Sequence, residues 1–110
     1  MLRRGLAALL QSQPGLTVVA EAKNGREAVD LCREKRPHIV ILDLSMPEMN
    51  GILAAEQIKS IDQSIKIIAF SMYTEAQLVR QMLTAGASAY VLKVGVFEEL
   101  TAAIAAVIAI

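Results

Sequence analysis

Three polar side chains stand where long apolar runs end: Asp43 in HIVILDL (residues 38–44), Ser71 in SIKIIAFS (64–71) and Lys93 in AYVLK (89–93). They lie 28 and 22 residues apart, about one strand-plus-helix unit each. A carboxylate, a hydroxyl and an ammonium brought to one place can carry phosphoryl chemistry. The carboxylate acts as nucleophile and forms an aspartyl-phosphate. The hydroxyl donates to a phosphoryl oxygen, and the cation neutralises charge there. Asp43 is the most informative, being the only charged side chain between Arg36 and Glu48. A carboxylate in so apolar a run is costly to bury without compensation. Taken singly, each has a plainer reading: a turn or cap for Asp43 and Ser71, a solvated strand end for Lys93. Taken together at this spacing, the chemical reading is the better one.

The elements that must position them follow from the pattern. Residues 2–11 place Leu2, Leu6, Leu9 and Leu10 on one helical face, and Pro14-Gly15 ends that helix. Residues 16–22 (LTVVAEA) are short and β-branched and predict a strand. Asn24 and Glu27 have capping-box spacing for a helix to about Arg36, burying Ala28, Leu31 and Cys32. Residues 38–44 predict a strand covered on both faces. Residues 45–51 (SMPEMNG) predict a loop, and a helix follows from about Ile52 to Ser60. The strand at 64–71 leads to a helix capped by Thr74, carrying Leu78, Met82 and Leu83 inward and stopping at Gly86. A strand at 89–93 and a helix at 97–109, with Glu98 and Glu99 near its start, complete the order. Strands alternating with helices imply right-handed crossovers and a parallel sheet with helices on both faces. In such a sheet the strand C-termini share one edge, and ligands bind there.

Composition narrows the class. The 110 residues are 55% hydrophobic with a net charge of +0, enough for one domain with its own core and far from a disordered composition. Aromatics are 4%, so the core is aliphatic. Neutrality gives no pull toward nucleic acid. The single cysteine, Cys32, fits a reducing compartment and a small core position. No uncharged run reaches the about 20 residues of a membrane span, and the N-terminus makes a poor signal peptide. A cytoplasmic protein without membrane contact is expected. His38 is expected at the surface, at the start of its strand.

The residues also resemble a known family. Val40-Ile41-Leu42-Asp43-Leu44-Ser45-Met46-Pro47 with Asn50-Gly51, Phe70-Ser71-Met72, and Ala85-Gly86-Ala87-Ser88-Ala89-Tyr90-Val91-Leu92-Lys93 are similar to the receiver domain of bacterial two-component response regulators. The resemblance is to the LuxR-type (NarL/FixJ-like) transcription regulators and also takes in Val19 to Ala22 and Asn24 to Ala28. It implies a flavodoxin-like fold over residues 1–110, with Asp43 as acceptor of a phosphoryl group from a histidine kinase. It makes Ser71 the hydroxyl that shifts toward that group, Lys93 the counter-cation, and Tyr90 the aromatic that follows activation. Pro47 and Gly51 shape the loop beyond the acceptor. Mg²⁺ is the expected cofactor, with Asp43 and the Ser45 main-chain carbonyl among its ligands. Val94 stands where many receivers have a cis proline.

One departure matters. The family begins with a strand ending in two adjacent acids that hold Mg²⁺, whereas residues 1–6 here match the middle of the family's first helix. The strand and its acids would lie upstream of residue 1. Asp30, Asp62 and Glu98-Glu99 are placed elsewhere and replace nothing. The fold is therefore expected to be N-terminally truncated by one strand, the central one in the order 2-1-3-4-5. Unpaired backbone is expected along 16–22 or 38–44, unless those strands pair directly or a second chain fills the gap as a homodimer or strand-swapped dimer. Since Mg²⁺ is usually held by one or two carboxylates plus phosphate, phosphorylation is expected to be impaired. The alternative is a phosphorylation-independent interaction module. A phosphatase with an Asp nucleophile commonly wants a second Asp where Ser45 stands, so no enzyme is expected. The sequence ends just after the last helix, and DNA binding by this chain alone is not expected.

Overall fold

The computed structural model describes residues 10–44, 50–92 and 97–109. Its elements are α1 (Gly25–Lys35), β1 (Ile39–Asp43), α2 (Gly51–Ile61), β2 (Lys66–Ser71), α3 (Ala76–Ala85), β3 (Ala89–Leu92) and α4 (Phe97–Ala109). The three strands form one parallel sheet in the order β1-β2-β3. Residues 10 and 11 are helical, while the rest of the expected first helix lies outside the described residues.

The two faces of the sheet are covered differently. On one face, Leu42, Leu44, Ile67 and Ala69 join Ala28, Val29 and Cys32 of α1, Ala54, Ala55 and Ile58 of α2, and Met82 of α3. On the other, Ile68 and Val91 meet Leu100 and Ile104 of α4, with Leu10, Leu16, Ile39 and Ile41 partly buried around them. The alternation of these residues between clusters is the period-2 signature of strands buried on both faces.

Helix starts follow from local chemistry. The Asn24 side chain accepts from Glu27 N–H at 2.8 Å, and the Glu27 carboxylate accepts from Lys23 N–H at 2.9 Å. The reciprocal bond thus lands one residue before the cap rather than on it. Asn50 caps α2 in the same way, accepting from Leu53 N–H at 3.2 Å. α3 departs from expectation: its cap is Glu75, not Thr74, and no side-chain bond caps it. Leu83 is also exposed, at 46%, because the helix turns Met82 instead to the sheet. Leu31 of α1 is only half-buried. At the far end of α3, Gly86 takes φ +122°, donates to Leu83 C=O, and lies directly on the Lys59 stem. A side chain there would meet both a backbone penalty and that stem.

The main correction concerns residues 16–22. They form no strand, and they do not pair with β1. The segment alternates half-buried and exposed positions at its start, and Val18 N–H finds the Gln11 side-chain carbonyl at 2.8 Å instead of a neighbouring strand. β-propensity expresses fit to a pleated neighbour, and among the described residues no strand of the sheet pairs with this segment. Among the described residues β1 pairs with β2 alone. His38 C=O accepts from Lys66 N–H and Leu44 N–H donates to Phe70 C=O, at 3.0 and 2.9 Å. In a parallel ladder this sets the even-numbered residues 38 to 44 toward β2, and turns the N–H and C=O of Ile39 and Ile41 away from it.

Two outcomes are expected. Gly51 lies against the Leu44 side chain and Met82 Sδ, so a Cβ there collides with Leu44. Gly51→Ala should destabilise by about 1–3 kcal/mol through overpacking, read as a lower urea midpoint at unchanged slope, and Leu44→Val should recover part of the loss. Burial pushes the Cys32 thiol from 9.0 up to about 11. Its folded-state value is above its unfolded one, so the unfolded chain ionises first as pH rises. Stability unaffected below pH 9 should fall between 9 and 11. The fall should be steeper in the wild type than in Cys32→Ala, by urea titration at successive pH values.

Candidate functional site

The C-terminal edge of the sheet is where the candidate residues converge. Asp43 ends β1 and Ser71 ends β2, both buried, at 7% and 0% exposure. A buried carboxylate and a fully buried hydroxyl at one strand edge are unusual in a core otherwise aliphatic. The register pairs Asp43 with Phe70 and Ser71 with Leu92. Asp43 and Ser71 are therefore offset by one residue and leave the sheet toward opposite faces, so the two groups can meet only over the strand ends. Lys93 follows Leu92 directly, but its placement lies outside the described residues, as do those of Ser45, Pro47 and Val94.

Ser71 is tied into a short network. Its Oγ accepts from Tyr73 N–H at 2.8 Å, the local turn that serine forms two residues back from an amide. That oxygen retains a proton it can donate. The Tyr73 carbonyl in turn accepts from the Tyr90 hydroxyl at 2.9 Å. Tyr90 is half-buried and packs against the cluster shared by the sheet and α1 to α3. The main chain of one residue, Tyr73, thus links the buried hydroxyl of β2 to the aromatic of β3 through its N–H and its C=O. The sequence reading gave Tyr73 no role. It acts through its main chain, which leaves no trace in residue type beyond its distance from Ser71.

A cleft of about 580 Å³ opens beside Asp43, between residues 16–22 and the free edge of β1. Glu21 lines it as well, a second carboxylate the sequence reading did not single out. Among the described residues, no group of three or more His, Cys, Asp or Glu is placed to hold a metal. Mg²⁺ demands near-octahedral oxygen ligation at about 2.0–2.1 Å. Asp43 brings one carboxylate, and the described donor set does not fit that ion. His38 is exposed, and Cys32 is buried against the sheet. Among the described residues no helix is long and apolar enough to cross a membrane.

Similarity to known proteins agrees with this geometry. The profile of the response regulator receiver domain matches residues 1–105. The chain is 39% identical over 106 residues to the Bacillus subtilis transcriptional regulatory protein LiaR, covering 96% of this chain and 50% of that protein. It is 37% identical over 93 residues to the Escherichia coli nitrate/nitrite response regulator protein NarL, covering 84% of this chain and 43% of that one. The chain thus spans about half the length of these relatives. Among solved structures, a LuxR-family two-component response regulator from Aurantimonas superposes with a TM-score of 0.91 at 39% identity, over 98% of this chain and 77% of that one. The sheet order, the polar strand ends and these similarities together assign the chain to the response regulator receiver domain family, with a flavodoxin-like fold.

Proposed function

We propose that Asp43 is the phosphoacceptor of this receiver domain. The observation that carries the reading is a carboxylate buried at the end of β1, on the edge it shares with Ser71. A carboxylate oxygen attacks the phosphorus of a phosphohistidine on a kinase. The N–P bond breaks, an acyl phosphate forms, and the histidine nitrogen keeps the electron pair and takes up a proton. Lys93 is assigned as counter-cation and the Ser45 carbonyl as a metal ligand from the sequence pattern alone. In this reading the domain is a substrate of its kinase and not an enzyme in its own right, and it works in the cytoplasm.

Ser71 and Tyr90 then form the switch. A phosphoryl group on Asp43 offers Ser71 a stronger, charged acceptor. Moving toward it, the hydroxyl releases the Tyr73 amide it now holds at 2.8 Å. The Tyr73 main chain is thereby freed to turn about its Cα, and with it the carbonyl on which the Tyr90 hydroxyl rests. Charge at β1 is converted into a change of an aromatic on β3, where a partner surface can read it.

The chemical half of this device is expected to be weak. Loss of groups that merely support metal ligands costs about 10–100-fold in metal affinity or activity, and among the described residues no group of three or more His, Cys, Asp or Glu could hold the ion. A second reading therefore stands beside the first: a phosphorylation-independent interaction module, favoured by the single carboxylate among the described strand ends. The two separate in one assay. Incubated with acetyl phosphate and Mg²⁺ and weighed intact, the chain should be phosphorylated slowly and partially, and Asp43→Asn not at all. Rapid stoichiometric phosphorylation that Asp43→Asn abolishes would sink the expected impairment. If no adduct forms and Mg²⁺ shifts no amide signals near Asp43, the second reading holds.

The switch makes its own prediction. Ser71→Ala removes the acceptor of the Tyr73 amide and should cost about 0.5–1.5 kcal/mol, read by urea denaturation. Exchange of the Tyr73 amide should quicken, while the amides of β1 keep their rates. Tyr90→Phe should lose less, because the bond from its hydroxyl to Tyr73 is exposed.

A further inference from the structure

The N-terminal edge of the sheet, opposite the candidate site, holds a lysine in a fixed setting. Lys59 lies in the last turn of α2, and its stem runs against Gly86, the residue that ends α3. Its Nζ donates to the carbonyls of Gln63 and Ile65, at 3.0 and 2.8 Å. A side chain that is ordinarily flexible is thus held at both stem and tip. Both acceptors are neutral. The carboxylate beside it, Asp62, is engaged elsewhere: Oδ1 accepts from the Ser64 N–H and hydroxyl at 2.9 and 2.6 Å, and Oδ2 lies 3.7 Å from the Arg36 guanidinium at the end of α1. Among the described residues no carboxylate forms an ion pair with Lys59.

This setting suits the free amine as well as the ammonium. An ammonium carries three N–H bonds, and an amine two. The two carbonyls accept two of them, so the third proton leaves without the loss of a hydrogen bond. What remains is a lone pair on a nitrogen that is already held in place. The surrounding charges act in the same direction. Burial, with Lys66 of β2 nearby, holds the Lys59 pKa below the ordinary lysine value, Asp62 opposing them, and residues 82–88 at the end of α3 carry no charge. Desolvation and a neighbouring cation are the conditions that turn a lysine into a nucleophile.

We propose that Lys59 is a modification site whose amine takes the acyl group of an acyl phosphate. The lone pair attacks the acyl carbon, the C–O bond to phosphate breaks, and the phosphate leaves with the electron pair. The nitrogen passes one proton to the departing phosphate. The amide formed keeps one N–H, so one of the two carbonyls loses its donor and the turn into β2 is loosened. An acyl phosphate offers carbon to an amine and phosphorus to a carboxylate, so this reaction is independent of phosphoryl transfer to Asp43.

The test uses the full chain carrying Asp43→Asn, incubated with acetyl phosphate and digested for mass mapping of each lysine. At neutral pH, acetylation of Lys59 should outrun that of the exposed Lys23 and Lys35 by at least about threefold. In concentrated urea, where the chain is unfolded, the preference should vanish, and the rate at Lys59 should level off at a higher pH than in the folded chain. The acetylated protein should unfold at a lower urea midpoint than the unmodified one. Lys59→Arg keeps the donors, and its midpoint should be unmoved by the same treatment. If Asp43→Asn fails to fold, the wild type decides, since acetyl and phosphoryl adducts differ in mass. Equal rates at Lys59, Lys23 and Lys35 in the folded chain would overturn the proposal. So would a preference that persists in urea, which would trace it to local sequence rather than to the fold.

Discussion

Every strand in a parallel sheet has two rows of backbone groups to satisfy, and β1 has a described neighbour for only one. The rest of the molecule arranges itself around that fact. β2, flanked on both sides, buries Ile67, Ile68, Ala69 and Ser71 completely. β1, flanked on one, leaves Ile39, Val40 and Ile41 half-buried although their sequence is that of an interior strand. Burial recovers only toward its end, at Leu42 and Asp43, where the Leu44 amide closes the ladder on Phe70. The Asp43 position is thus held in register with Phe70 from the β2 side.

The layers show the same asymmetry. α1, α2 and α3 cover one face through small residues, Ala28, Ala54 and Ala55, which let the helices lie close. Among the described residues α4 covers the other face, centred on Ile68 and Val91 of the inner and far strands, with Leu10 and Leu16 packed beside it. The half-buried isoleucines of β1 lie at the margin of that second cluster. Loss of an apolar contact there costs less than the same loss under α2, since what is removed was never fully withdrawn from water.

How much of this was legible in the sequence depends on whether the signal was local. The runs at 39–43, 66–71 and 89–92 were readable because interior parallel strands are apolar on both faces. Asn24 was readable as a helix cap because its own side chain makes the bond and needs no distant partner, whereas Asn50, which caps α2 in the same way, falls in the segment predicted as loop. α4 came out at its expected bounds, 97–109. The failures share a cause. Residues 16–22 have strand composition, but a strand exists only with a neighbour, and composition cannot supply one. Leu83 fits an apolar helical stripe yet faces out, because the sheet takes Met82. Thr74 has the chemistry of a cap, yet the backbone begins the helix one residue later. In the site, Asp43 and Ser71 were found from their positions at strand ends. Tyr73 was not, since it contributes a peptide group that any residue would bring.

The site divides along the same line as the fold. Its buried carboxylate belongs to β1, the strand with one described neighbour. Its hydrogen-bonded link belongs to β2 and β3, joined through the Tyr73 main chain and paired over four residues. Ser71 is fully buried, and Tyr90 packs on the cluster beneath α1 to α3. In the proposed reading, charge on Asp43 reaches Tyr90 only by way of the Ser71 hydroxyl, and that path runs through the main chain of one residue, Tyr73.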